Sequence, residues 1–434
     1  MLTPPARLKK SSRVQLLIVL IISRLALDLS SFYLIFPLYS YAGLSLDLSV
    51  PHALFSWFCY FALAVFVVLS KSSIYPAFFL FFIFLPVSSF YLLTSKNTSV
   101  FLSIFVATLF LSAVSQLRLN IKAPKNGSLY FRYLSLTILF AYISLFFLRN
   151  GWSYFSLDVS KLYEHRENLK SLYSGVLSYV LVWSIKVILP TLLSMSVARR
   201  KIISSTLIVL AMVMIFFVTF RKEVFVYCLL GFWIGVYITM GGRFVALGML
   251  KCVMIVTFLI FSISLISGNM IYFAAFLQRA FVVVGQNLND YVQFFSNNEY
   301  LYFSQSFLKS FVDDPYGRPV PEIIGYGRWG AGTETFANAG IWASAFMQMG
   351  YAGILLYALI AASIACFFSN LEYKITDNAN RAGALTALLC GLLQLVNADL
   401  LTAILTHGLG ISMLVVWFLS SRKASRVRFF NSYS

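Results

Sequence analysis

The sequence predicts an all-α, polytopic transmembrane helical bundle of about 12 spans, and three observations predict it. Hydrophobic residues make up 60% of the chain and charged residues only 11%, more apolar surface than a water-soluble fold of this length can bury. The apolar residues come in runs of about 20, the length that crosses the hydrocarbon core of a bilayer. Lys and Arg gather in alternate connectors, the bias of a chain threaded back and forth through a membrane. That bias accounts for the formal charge of +18 without a nucleic-acid partner.

In chain order the spans fall near 14–37, 53–70, 74–94, 99–117, 129–148 and 176–197, then 202–220, 224–240, 248–271, 349–369, 382–398 and 400–420. The first run, Val14 to Leu38, is too long for a signal-peptide core and lacks a small-residue cleavage pattern, so it is expected to be retained. The last two runs leave only Asn397, Ala398 and Asp399 for a turn. No internal duplication is visible. With both termini cytoplasmic, the inner loops and tails hold 20 of the 33 Lys and Arg, while Glu372 and Asp377 are the only acidic residues there. This asymmetry sets the expected orientation. It places three polar connectors outside: 150–174, the Arg221-Lys222-Glu223 turn, and a long interval at 272–348 between spans 9 and 10. Residues 1–434 then form a single integral membrane domain. In the inner (plasma) membrane of a double-membraned bacterium, 272–348 is its large periplasmic loop.

That loop is rich in aromatics and glycines, unlike the charged, weakly hydrophobic mixture of disorder. Long loops in compact proteins tend to be functional, so an ordered lid is expected. Arg279 to Phe295 reads as a cationic, aromatic helix at the membrane surface. Gly325 to Ser344 reads as a flexible glycine stretch leading into a small-residue helix before Gly350. Within the bilayer, Arg24 and Asp28 lie four apart on one helical face, and Lys186 sits near the middle of the sixth span. Each such charge costs about 2.5–3.5 kcal/mol to insert, so structural pairing, Arg24–Asp28 or Asp28–Lys186, is expected. Pro190 is expected to kink the sixth span.

The residue types narrow the chemistry. Cys59, Cys228, Cys252, Cys366 and Cys390 all lie in or beside apolar segments, which argues against a disulfide framework or a Cys metal site. His52, His165 and His407 are isolated, so no metal is expected. No phosphate-binding glycine loop precedes a Lys, and no cofactor is implied. What remains outside is a set of cations, Arg166, Arg221, Lys222, Arg279, Arg318 and Arg328, amid aromatics such as Trp152, Tyr291 and Trp329. Guanidinium forks suit phosphate and pyrophosphate, and rings can stack on sugars or anchor at the interface. The Arg221-Lys222-Glu223 turn either binds anions or pairs with carboxylates on its own side. A lipid-pyrophosphate sugar donor, carrying its own activation, fits these residues, although the composition also suits a transporter.

Three places resemble the Wzy family of O-antigen and oligosaccharide repeat-unit polymerases. Ser156 to Arg166, with Asp158 and Tyr163, is similar to the family's first large outer segment. Arg279 to Gly285, with Tyr291 and Phe294-Phe295, is similar to the start of its main periplasmic loop. Asn338-Ala339-Gly340, leading through Gly350 and Gly353, is similar to the loop exit, where Ala339 stands in place of a common Thr. The resemblance implies transfer of a growing glycan from undecaprenyl pyrophosphate to the non-reducing end of another lipid-linked unit. It also implies that Arg166, Arg221 and Arg279, with Lys222 beside them, bind pyrophosphate, and that Tyr291 and Asn338 orient sugars. A chain-length regulator and a flippase of the same pathway are the implied partners, beyond the lipid-linked oligosaccharide and the bilayer. The resemblance supplies no general base. Glu334 is chosen for its place between the glycine cluster and Asn338, with Glu164 and His165 as rivals.

Two other classes remain open. An O-antigen ligase would share donor and membrane face but would be expected to present a dedicated outer His, for which only His165 qualifies. A flippase for lipid-linked oligosaccharide would concentrate polar groups near the bilayer midplane, where this chain has only Arg24, Asp28 and Lys186.

Overall fold

The computed structural model describes residues 10–71, 74–158, 169, 175–242, 244–306, 308–330 and 336–421. Among these the regular structure is helical throughout, with no strand. The fold is the expected all-α polytopic membrane bundle. Among the described residues ten helices are long and apolar enough to cross a bilayer: α1 Ser11–Leu38, α2 Val50–Leu69, α3 Ile74–Thr94, α5 Gly127–Leu148, α6 Val176–Ala198, α7 Ile202–Thr219, α9 Val245–Ile266, α10 Ile271–Phe295, α12 Ile341–Glu372 and α13 Asn378–Asn397. Shorter α-helices are α4 Thr98–Val114, α8 Glu223–Thr239, α11 Val320–Trp329, α14 Leu400–Leu405 and α15 Leu409–Leu419. The expected span at 400–420 is thus broken, at Gly408, whose φ of 102° suits glycine.

The chain divides into two compact units. The first comprises 1–118, 242–369 and 392–403, and the second 119–241, 370–391 and 404–434.

In the first unit α1, α2 and α3 alternate in sense, as successive spans must. The Tyr60 hydroxyl donates to the carbonyl of Leu20, and Arg24 lies over Trp57; Ser56 meets Ser88, and His52 meets Tyr91. The expected Arg24–Asp28 clamp is formed at their junction. Arg24 is fully buried and donates to Asp28 Oδ2 at 2.8 Å, Ser56 Oγ at 2.9 Å and the Ser88 carbonyl at 3.0 Å. Ser89 donates to the other Asp28 oxygen at 2.6 Å. Asp28, Ser56, Ser88 and two aromatic faces, Trp57 and Tyr60, satisfy a cation that would otherwise be very costly in lipid. Lys186, the other partner considered for Asp28, pairs with Glu223 in the second unit.

The helix α10 corrects the expected start of the loop at 272. Gln278, Arg279, Gln286, Asn287, Asn289 and Asp290 interrupt its apolar run, so a count of consecutive apolar residues passes over it. Its apolar positions Phe273, Leu277, Phe281, Leu288, Val292 and Phe295 recur with helical spacing and are buried. Yet α10 does not run antiparallel to the helix before it. Phe281 meets Phe81, Gly285 packs on Pro86 and Phe90, and Asn97 donates to Asn289, so α10 runs in the same sense as α3. The preceding α9 also runs in that sense, since Lys251 meets Gln15 and Ser23 meets Met254 on α1. Two consecutive helices of one sense leave the chain at the end of the unit that already carries 39–49 and 95–97. The interval 296–340 follows there.

In the second unit α6 and α8 approach closely. A Cβ on Gly231 would lie 2.6 Å from the Pro190 carbonyl oxygen, so glycine is what permits the backbone contact. Here Lys186 Nζ reaches Glu223 Oε2 at 3.2 Å, and Arg221 reaches the other oxygen at 3.4 Å.

Among the described residues four helices contain a π-helical turn. In α1, α3 and α6 these turns (Ser31–Ile35, Phe79–Phe84 and Ser184–Ile188) each end two residues before a proline: Pro37, Pro86 and Pro190. Proline lacks an N–H and crowds the preceding turn, which a wider turn relieves. The fourth, Gln278–Val282 in α10, has no proline to explain it.

Candidate functional site

The unexplained π turn borders a cavity of about 770 Å³ contained in the first unit. In a regular helix Phe276 and Gln278 would point about 200° apart, yet both line this space. The turn also presents Arg279, which is exposed and makes no hydrogen bond or ion pair among the described residues. Opposite it stand three rings: Tyr39 and Tyr41 from the connector after α1, with centroids 5.9 Å apart, and Trp329 from α11, 5.8 Å from Tyr41. Burial and the neighbouring Tyr41 raise the Tyr39 pKa, with Arg279 opposing them, so its phenol is held protonated as a hydrogen-bond donor.

A second guanidinium, Arg328, closes the cavity and is itself fixed. Its Nε donates to Asp290 Oδ2 at 2.9 Å and its Nη2 to Asn287 Oδ1 at 2.7 Å. Asp290 and Asn287 are three apart on α10, hence on one face, so this contact fastens α11 to α10.

Several of the polar residues that disguise α10 in the sequence hold other pieces of chain. Gln286 donates to the carbonyl of Ala42 at 2.7 Å, which positions the Tyr39–Tyr41 connector. Asn287 donates to the carbonyl of Asn338 at 2.7 Å, and the Tyr291 hydroxyl donates to that of Ala337 at 2.8 Å. The chain from 296 is anchored as well. Backbone N–H groups of Leu301 and Tyr302 donate to the carbonyls of Met347 and Gln348. Those carbonyls are available because Met349 and Gly350 leave helical geometry inside α12.

Of the expected site residues, Arg279 lies in the cavity wall. Tyr291 is fully buried with its hydroxyl engaged, so it anchors the chain and does not face a sugar. Asn338 is exposed, and its carbonyl is engaged while its side chain is open to a ligand. Arg221 shares Glu223 with Lys186, the carboxylate pairing named above, whereas Lys222 is exposed. Arg221 and Lys222 belong to the second unit. Arg166, Glu334 and the rivals Glu164 and His165 lie outside the described residues. Tyr39 and Tyr41 were not anticipated. The signal for them was a pair of tyrosines two apart after Pro37, in the first connector on the side of the long loop.

No family model, curated protein or solved structure matches the chain. The site therefore has to be read on its own chemistry. It combines one unpaired guanidinium, one anchored guanidinium, a neutral phenol and a cluster of tilted rings at an end of a membrane bundle. Among the described residues there is no cluster of three or more His, Cys, Asp or Glu for a metal. Such a set can hold an anion beside a ring-shaped, hydroxylated group.

Proposed function

We propose that the protein is a membrane glycosyltransferase of the O-antigen polymerase type. It extends lipid-linked oligosaccharide repeat units at the periplasmic face of a bacterial inner membrane, with both termini cytoplasmic. The observation that carries this reading is the unpaired Arg279 on a π turn, facing an aromatic wall at the end of a spanning bundle. The donor is an undecaprenyl-pyrophosphate-linked glycan. A hydroxyl at the non-reducing end of the acceptor unit attacks the anomeric carbon, the bond to the diphosphate oxygen breaks, and undecaprenyl pyrophosphate leaves with the electron pair. Arg279 stabilises the charge developing on that diphosphate, while Tyr39, Tyr41 and Trp329 stack against the adjoining sugars. Glu334 is assigned the acceptor hydroxyl's proton.

The deciding experiment is reconstitution. Purified protein in liposomes containing a lipid-linked repeat unit is expected to lengthen the glycan without other proteins, and Arg279→Ala to abolish lengthening at normal protein level. Translocation of the lipid-linked unit without chain growth would refute the enzyme reading.

A further inference from the structure

A second cavity, of about 240 Å³, lies wholly within the second unit. Two helical stripes build it. Arg132, Leu136 and Leu139 recur at three- and four-residue intervals on α5, and Leu192, Ser196 and Arg199 do so around the end of α6. In both stripes the arginine stands at the helix end and the leucines lie deeper in the span. Arg132 and Arg199 are exposed and have no hydrogen bond or ion pair among the described residues. Two further polar groups line the cavity from buried positions. The Ser135 Oγ, on a residue 4% exposed, has no hydrogen-bond partner among the described residues. Asn380 is 7% exposed, and among the described residues its backbone N–H is engaged by Asp377 while its side chain is not engaged.

We propose that this cavity binds an anionic phospholipid. Its phosphate sits between Arg132 and Arg199, and Ser135 and Asn380 donate to it from below. Guanidinium forks match phosphate oxygens, and basic pockets between spanning helices suit acidic headgroups. Two uncompensated arginines select a net negative headgroup over a zwitterionic one. A free phosphate would satisfy the arginines but leave the leucine groove bare. Leu136, 59% exposed on a spanning helix, opens that groove sideways to lipid, where an acyl chain can lie. This binding does not depend on the polymerase reading.

The test is native mass spectrometry of the detergent-purified full chain, titrated separately with phosphatidylglycerol, phosphatidylcholine and inorganic phosphate. Phosphatidylglycerol should bind best, and Arg132→Ala/Arg199→Ala should weaken it about tenfold, or about 1.4 kcal/mol. Leu136→Trp fills the groove without touching a charge and should weaken it comparably. If the double arginine variant does not fold, Leu136→Trp decides alone. Equal binding of phosphatidylcholine would overturn headgroup selection. Inorganic phosphate matching phosphatidylglycerol would overturn the lipid assignment, and unchanged binding in Leu136→Trp would overturn the site.

Discussion

Replacing Arg24 by Met should destabilise the protein by about 3–5 kcal/mol, the cost of removing one partner from a buried ion pair. The structure shows where that figure comes from. Arg24 loses its contacts to Asp28, Ser56 and Ser88 and its place over Trp57 and Tyr60. Asp28, 8% exposed, then keeps Ser89 as its described donor. Removing both charges has the opposite logic. Each costs about 2.5–3.5 kcal/mol to place at the centre of a span, so Arg24→Met/Asp28→Leu should return to within about 1 kcal/mol of the wild type. The cycle should therefore show a coupling energy above about 2 kcal/mol. Unfolding in mixed micelles by sodium dodecyl sulfate, followed by tryptophan fluorescence, measures Arg24→Met, Asp28→Leu and the double variant. If the double variant is as unstable as Arg24→Met, Asp28 is not the group that Arg24 neutralises, and the clamp is misread.

Four further outcomes are expected. Arg279→Lys keeps the charge but not the fork, and it should restore only part of the roughly 10²–10³-fold rate lost in Arg279→Ala, read as glycan lengthening in liposomes. Asp290→Asn and Arg328→Ala should each loosen α11 from α10 by about 1–3 kcal/mol, and the pair together should be little worse than either, as limited proteolysis of 296–340 would report. Gly350→Ala should cost about 1–3 kcal/mol, because φ is 58° and a Cβ would lie 2.7 Å from the Tyr300 hydroxyl; Tyr300→Phe should lessen that cost. Glu334→Gln should stop lengthening while leaving the protein folded, and unchanged polymer length and rate would remove Glu334 from the mechanism.

Most of the membrane fold was legible because lipid imposes one strong requirement, a run of apolar residues of fixed length. The bounds of α3, α6 and α7 follow from it almost to the residue. The requirement fails at α10, where Gln286, Asn287, Asn289 and Asp290 bond other segments of their own unit instead of facing open solvent as Arg279 does. A rule that counts apolar neighbours cannot distinguish the two, whereas the spacing of Phe273, Leu277, Phe281 and Leu288 can. The candidate site was legible only in part for a related reason. Arg279 was conspicuous as a cation amid aromatics, but Tyr39 and Tyr41 lie about 240 residues before it, and no local pattern joins them. Tyr291 misled because a buried tyrosine with its hydroxyl on a carbonyl has the same letter as one that meets a sugar.

The polar side chains of α10 have a double consequence. With a mean hydropathy of 1.2, against 2.4 for α9, α10 is the least apolar of the ten long helices. Gln286, Asn287, Asn289 and Asp290 lower that value, and the same side chains clasp Ala42, Asn338, Asn97 and Arg328. What weakens α10 as an apolar segment is thus what assembles its cavity.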